Sequence, residues 1–172
     1  ARKDIIDFCR KKIKEVDAII IEDYGKGVIV PELLTEIIRL ARRRKLFVAV
    51  DPKEKNFLYY KGASIITPNK KEAYTALGLT LDDKHITIDE VCRRLRTYVK
   101  CDAVLVTLGE EGMALLHERG VMTKIPTVAR EVFDVSGAGD TVIALLSLAR
   151  AAGADLRDAA IISNFAAGIV VG

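Results

Sequence analysis

The sequence predicts an α/β protein built on a mostly parallel sheet, and three features carry that prediction. Short, wholly apolar runs at 18–21, 46–50 and 103–106, and a mostly apolar one at 63–66, recur between longer stretches with helical spacing. That is the pattern of strands buried on both faces and joined by crossover helices. Polar or glycine-bearing residues follow these runs, at the edge where open sheets bind ligands. The composition agrees, because half of the 172 residues are apolar and Trp is absent, which leaves a core of Ile, Val, Leu and Ala. Alternating strands and helices imply right-handed β-α-β units with their motifs on one edge.

Taken in order, residues 1–14 read as an amphipathic helix, with Ile5, Ile6, Cys9, Ile13 and Val16 near helical spacing. The helix has no clear start signal, so the chain is expected to begin inside a larger fold. The strand at 18–21 leads to Asp23-Tyr24-Gly25-Lys26-Gly27, either a solvated turn or a substrate-side loop. Pro31 suits a first helical turn, and Leu33, Leu34, Ile37, Ile38 and Ala41 form the apolar face that follows. The basic run Arg42-Arg43-Arg44-Lys45 suits the negative end of that helix and is read as structural. The strand at 46–50 ends in Asp51-Pro52-Lys53, and Phe57, Tyr59 and Tyr60 are read as core aromatics on a short helix.

After the strand at 63–66, Pro68 stops extension and Asn69 with Glu72 three residues on is close to a capping box. Residues 77–86 form a polar loop. A helix from Thr87 to about Lys100 is expected to bury Val91, Leu95, Tyr98 and Val99. The strand at 103–106 ends in Thr107-Leu108-Gly109-Glu110-Glu111-Gly112, and 113–116 with 121–125 read as a hairpin turning at Glu118-Arg119-Gly120. Gly112 belongs to that hairpin. Helices are expected from about Thr141 to Arg150, with Gly153 as the stop, and over 155–171, the latter buried. Asn164 is the polar residue deep in that last helix, either a satisfied core amide or a ligand contact.

Composition also excludes several functions. A net charge of +3 is too small to argue for nucleic acid or a membrane surface, and no apolar run reaches spanning length. Cys9, Cys92 and Cys101 are widely spaced and odd in number, as expected of reduced thiols in a cytoplasmic protein. His85 and His117 have no companions that would suggest metal or triad chemistry.

The stretch that organises the chain is E-V-F-D-V-S-G-A-G-D-T-V at 131–142. Val132 and Phe133 end an extended segment, Gly137-Ala138-Gly139 turns with almost no side chain, and an apolar helix follows. Such a turn lets an anion approach backbone N–H groups at the positive end of a helix. Asp140 sets a carboxylate beside that pocket, suited to taking a proton from a hydroxyl.

The string D-V-S-G-A-G-D-T resembles the C-terminal signature of the ribokinase-like (PfkB) carbohydrate kinases. The resemblance implies a three-layer α/β/α fold with a mostly parallel central sheet, here incomplete, over residues 1–172. It implies ATP as phosphoryl donor, Mg²⁺, Asp140 as catalytic base, and Gly137, Ala138 and Gly139 as the anion hole. The N-x-x-E motif puts Asn69, Lys70, Lys71 and Glu72 at the nucleotide phosphates, with Glu72 reaching Mg²⁺ through water. T-x-G puts Thr107 and Gly109 at the nucleotide, and Asn164 falls where relatives place an amide against adenine. Asp134 and Ser136 match positions that hold a monovalent cation in some relatives. Partners implied are ATP and a sugar phosphate, with a homo-oligomer in the full-length protein.

D-Y-G-K-G, D-P-K, T-P-N-x-x-E and D-V-S-G-A-G-D in this order are nearest the heptose 7-phosphate kinase branch, which serves ADP-heptose and lipopolysaccharide-core synthesis. That places Asp23, Lys26, Asp51 and Lys53 on the substrate side. Family members begin with a Gly-rich segment and a small β lid that bind the sugar, and these are not seen before Ala1. Little sugar-kinase turnover is therefore expected from these residues alone, and an exposed sheet edge is expected where the missing strands would pair. A kinase for another sugar or nucleoside, or a non-catalytic nucleotide-binding module, are the alternatives.

Overall fold

The computed structural model describes residues 2–83, 85–127 and 137–171. Helix α1 (Arg2–Lys12) precedes strand β1 (Ala18–Glu22), helix α2 (Pro31–Arg43) and strand β2 (Phe47–Asp51). A 3-10 helix (Glu54–Tyr60) leads to β3 (Ile65–Ile66), then α3 (Lys70–Ala76), α4 (Ile88–Val99) and β4 (Ala103–Thr107). A second 3-10 turn (Gly109–Glu111) opens the hairpin of β5 (Met113–Leu116) and β6 (Met122–Ile125). Helices α5 (Ala138–Ala151) and α6 (Leu156–Val171) complete the described chain.

Among the described residues the strands form one six-stranded sheet in sequence order, β1 to β6. The first four run parallel, and β5 and β6 are antiparallel additions. Alternation along each strand explains the three layers. Val48, Val50, Ile66, Val104, Val106, Ala114 and Leu116 face one way and pack with α2 and α4 residues such as Leu34, Ile38, Val91 and Leu95. Ala49, Ile65, Ala103, Leu105, Met113 and Leu115 face the other way, against Val142, Ile143 and Leu146 of α5 and Ala159 and Ala160 of α6. Both faces are covered, so the strands are apolar on both sides, as the uninterrupted runs in the sequence require. Parallel register sets Glu22 of β1 opposite Asp51 of β2, so two carboxylates end up side by side at the C-terminal edge. Strand β1 is an outer strand of the sheet, and Ile20 on it is exposed.

Four details depart from the expectations. Tyr98 is exposed, and Cys92 takes its place in the core face of α4. Helix α6 buries one face only, since Ile162, Phe165 and Ile169 are exposed. An Ala- and Ile-rich composition allows burial all round but does not supply a neighbour for each face. Helix α1 buries none of its own residues, and Ile13, just beyond it, is the apolar anchor. Helix α5 starts at Ala138 rather than near Thr141, because only Gly137 adopts the left-handed conformation. Arg42, in the basic run read as structural, bonds the Gly62 carbonyl at 2.7 Å and the Asp102 carboxylate at 2.8 and 2.9 Å.

Candidate active site

Four strand ends and two helix starts build the candidate site. The end of β3 turns at Pro68 into α3, whose N-cap is Asn69. Asn69 Oδ1 accepts from the Glu72 backbone N–H at 2.9 Å, and the Asn69 N–H donates to Glu72 Oε2 at 3.0 Å. The capping box is therefore real, and it fixes both side chains at the mouth of the site. The backbone of Thr107 at the end of β4 donates to Pro68 O at 3.1 Å, which joins this cap to the next loop. Gly112 then makes a close backbone approach: a Cβ there would lie 2.1 Å from Ile125 O. Its role as a hairpin glycine thus has a steric cause.

Between these loops and the α5–α6 layer lies a cavity of about 560 Å³. Its polar wall carries Asn69, Lys70, Lys71, Thr107 and Asn164, and its apolar wall carries Leu108, Met113, Val142 and Ala167. The start of α5 opens into the same space through Ala138 and Gly139. Gly137, at φ 79°, is the N-cap of α5, and the N–H groups of the first turn have no acceptor inside the helix. Lys70 Nζ reaches Glu111 Oε1 at 2.8 Å, tying α3 to the second 3-10 turn at the cavity's mouth. Asn164 is 5% exposed and its amide donates to Pro126 O at 2.8 Å. One donor of that amide thus secures the segment after β6, so a structural role accompanies any ligand contact.

Asp140 follows Gly139 and is exposed. Glu22, Asp51, Lys53 and Glu72 do not line the cavity, and they form a charged group with Asp140. The half-buried Asp51 carboxyl is pushed up to about 7, first by burial and then by the negative charges of Glu72, Asp140 and Glu22, with Lys53 opposing. Lys53 Nζ lies 3.7 Å from Glu72 Oε1.

The substrate-side set divides. Asp51 and Lys53 sit in this charged basin, and Lys26 is an exposed cation on the loop after β1. Asp23 does not present its carboxylate to a substrate, because it is 5% exposed and already hydrogen-bonded. Its Oδ1 accepts from the Gly25 N–H at 2.8 Å, and its Oδ2 accepts from Asn56 Nδ2 and from the Tyr60 hydroxyl, both at 2.7 Å. Tyr60 in turn accepts from the Lys53 N–H at 2.9 Å, so Asp23 clamps the two loops together. Nothing in an aromatic pair such as Tyr59-Tyr60 signals this polar use. Glu22, Tyr24 and Glu111 are further groups at the site that spacing alone does not single out.

The cavity has the features a nucleotide needs: an apolar wall for a base, with lysines and a helix N-terminus for phosphates. Among the described residues no three side chains form a metal cage. A Mg²⁺ ion that keeps most of its waters needs only one or two protein carboxylates, and Glu72 and Asp51 are the ones that would hold it here. Val132, Phe133, Asp134 and Ser136, including the pair matched to a monovalent cation, lie outside the described residues.

The fold is a layered α/β architecture with a cavity beside the C-terminal ends of its parallel strands. The chain belongs to the pfkB family of carbohydrate kinases, which matches residues 4–172. It is 46% identical over 171 residues to the bifunctional protein HldE of Geobacter metallireducens, covering 98% of this chain and 34% of that protein. It is 44% identical over 171 residues to HldE of Helicobacter pylori, covering 99% of this chain and 36% of that protein. The chain thus spans about a third of the length of these curated relatives. Among solved structures, Arabidopsis thaliana ribokinase complexed with ribose and ATP superposes with a TM-score of 0.74 at 20% identity, over 98% of this chain and 52% of that one. Escherichia coli phosphofructokinase-2 in complex with potassium gives 0.78 at 18% identity, over 96% and 55%. These two likenesses establish the ribokinase-like fold. Among the described residues no helix is long and apolar enough to cross a membrane.

Proposed function

We propose that residues 1–172 are the nucleotide side and the base-bearing part of an ATP-dependent sugar kinase. The acceptor is the anomeric hydroxyl of a heptose 7-phosphate, and the product is the 1,7-bisphosphate. The observation that carries this reading is the position of the α5 start. Its Ala138 and Gly139 line the cavity, while the charge of the adjacent Asp140 acts on Asp51. In this reading the backbone amides face the phosphoryl group and the carboxylate faces the acceptor hydroxyl. The order of the four motifs and the similarity to HldE proteins favour the heptose acceptor.

In this mechanism Asp140 takes the proton of the attacking hydroxyl. The amides at 137–139 hold the charge that grows on the phosphoryl oxygens. Lys70 and Lys71 bind phosphate oxygens, Thr107 and Gly109 border the nucleotide, and Asn164 meets the base. Bound Mg²⁺, near Glu72, would neutralise phosphate charge. Lys53 and Lys26 supply cations toward the sugar phosphate. Phosphoryl transfer from ATP should be assayed with the protein from its complete reading frame. The panel is heptose 7-phosphate, ribose, fructose 6-phosphate and a nucleoside. Turnover confined largely to heptose 7-phosphate is expected, and turnover on another acceptor with none on heptose 7-phosphate refutes the assignment.

A further inference from the structure

The acceptor side carries one group that neither the cavity nor the transfer step uses. Tyr24 is 62% exposed, just past the end of β1, and does not line the nucleotide cavity. An aromatic ring on a loose loop would carry no argument, but this loop is clamped by the hydrogen bonds of nearly buried Asp23 to Gly25, Asn56 and Tyr60. The Tyr24 hydroxyl donates to Glu22 Oε2 at 3.2 Å, which leaves its oxygen free to accept. The negative charges of Glu22 and then Asp140 raise the phenol's pKa, so the ring shares the field of the proposed base. Lys26 follows two residues on, and Gly25 packs toward the Lys53 stem, where a Cβ would sit 3.5 Å from Lys53 Cγ.

A sugar presents two kinds of surface. One is a face of C–H groups that packs on an aromatic ring, and the other is a rim of hydroxyls that need acceptors. We infer that Tyr24 is a specificity-determining residue for a phosphorylated sugar acceptor. Its ring packs on the C–H face, and its phenol oxygen, oriented by Glu22, accepts from a ring hydroxyl. This rests on the kinase reading above.

The test is steady-state kinetics of Tyr24→Ala and Tyr24→Phe in the protein from its complete reading frame, varying heptose 7-phosphate and ATP separately. Tyr24→Ala should raise the acceptor KM about tenfold or more while leaving the ATP KM within about twofold. Tyr24→Phe keeps the ring and should recover most of that loss. An unchanged acceptor KM in Tyr24→Ala overturns the inference. So does a lower melting temperature with unchanged KM, which would make Tyr24 a packing residue. If Tyr24→Ala does not fold, Tyr24→Leu against Tyr24→Phe supplies the same comparison. Absence of wild-type turnover on every phosphorylated sugar refutes the kinase reading itself, and this inference with it. Normal wild-type turnover beside an insensitive Tyr24 refutes the inference alone.

Discussion

Asp51 makes the protein's stability depend on pH in a way that one substitution isolates. Its carboxyl titrates near 3.8 in an unfolded chain and at about 7 in the fold, because burial and three neighbouring carboxylates disfavour its charge. Between those values the unfolded chain has released the proton and the folded protein keeps it. Stability is therefore full below the unfolded value, falls as pH rises, and levels off once the folded group ionises near 7. The full shift corresponds to about 4 kcal/mol, and partial solvent access reduces it to about 2 kcal/mol. Asp51→Asn removes the titration while keeping the shape. Urea unfolding of wild type and variant with EDTA and no nucleotide should show near-equal stability at pH 4. At pH 8 the variant should be more stable by about 2 kcal/mol, or about 4–8 °C in Tm. A difference that is the same at both pH values, or a variant less stable at pH 8, would refute the reasoning.

Two further outcomes follow from the loops around the cavity. Asn69→Ala should cost about 1 kcal/mol through the lost cap, and should also weaken Mg²⁺-dependent turnover per folded molecule. Thermal melts beside a Mg²⁺ titration check this, and a change confined to the melt leaves Asn69 as a cap only. Gly112→Ala should cost about 4 kcal/mol or more, because the new methyl would overlap Ile125 O at 2.1 Å in a backbone at φ 86°. Circular dichroism melts check it, and a loss under about 1 kcal/mol would mean that the hairpin relaxes easily.

Local signals made much of the fold legible. Apolar runs located the parallel strands to within a residue or two. Pro68 and the Asn69–Glu72 spacing located the start of α3 and its capping box, since each bond in the box joins residues three apart. What sequence could not show depends on contacts made at a distance. Asp23 reads as a free carboxylate at a strand end, but Asn56 and Tyr60, 33 and 37 residues away, occupy it. The Lys70–Glu111 pair spans 41 residues and leaves no periodic trace. The exposed face of α6 was misread for a related reason: apolar composition measures the capacity for burial, whereas a neighbouring element determines it.

Asp140 is proposed to take the acceptor's proton beside the cavity that Ala138 and Gly139 line. Asp140→Asn in the protein from its complete reading frame tests this most directly, with turnover and ATP affinity measured separately. The carboxylate belongs to the first turn of α5, and the amide retains its size and helical context. ATP affinity should therefore stay within about twofold, while kcat falls about 10²–10⁴-fold, the usual cost of losing a general base. A variant that keeps turnover within a few fold of wild type on its best acceptor would contradict the account.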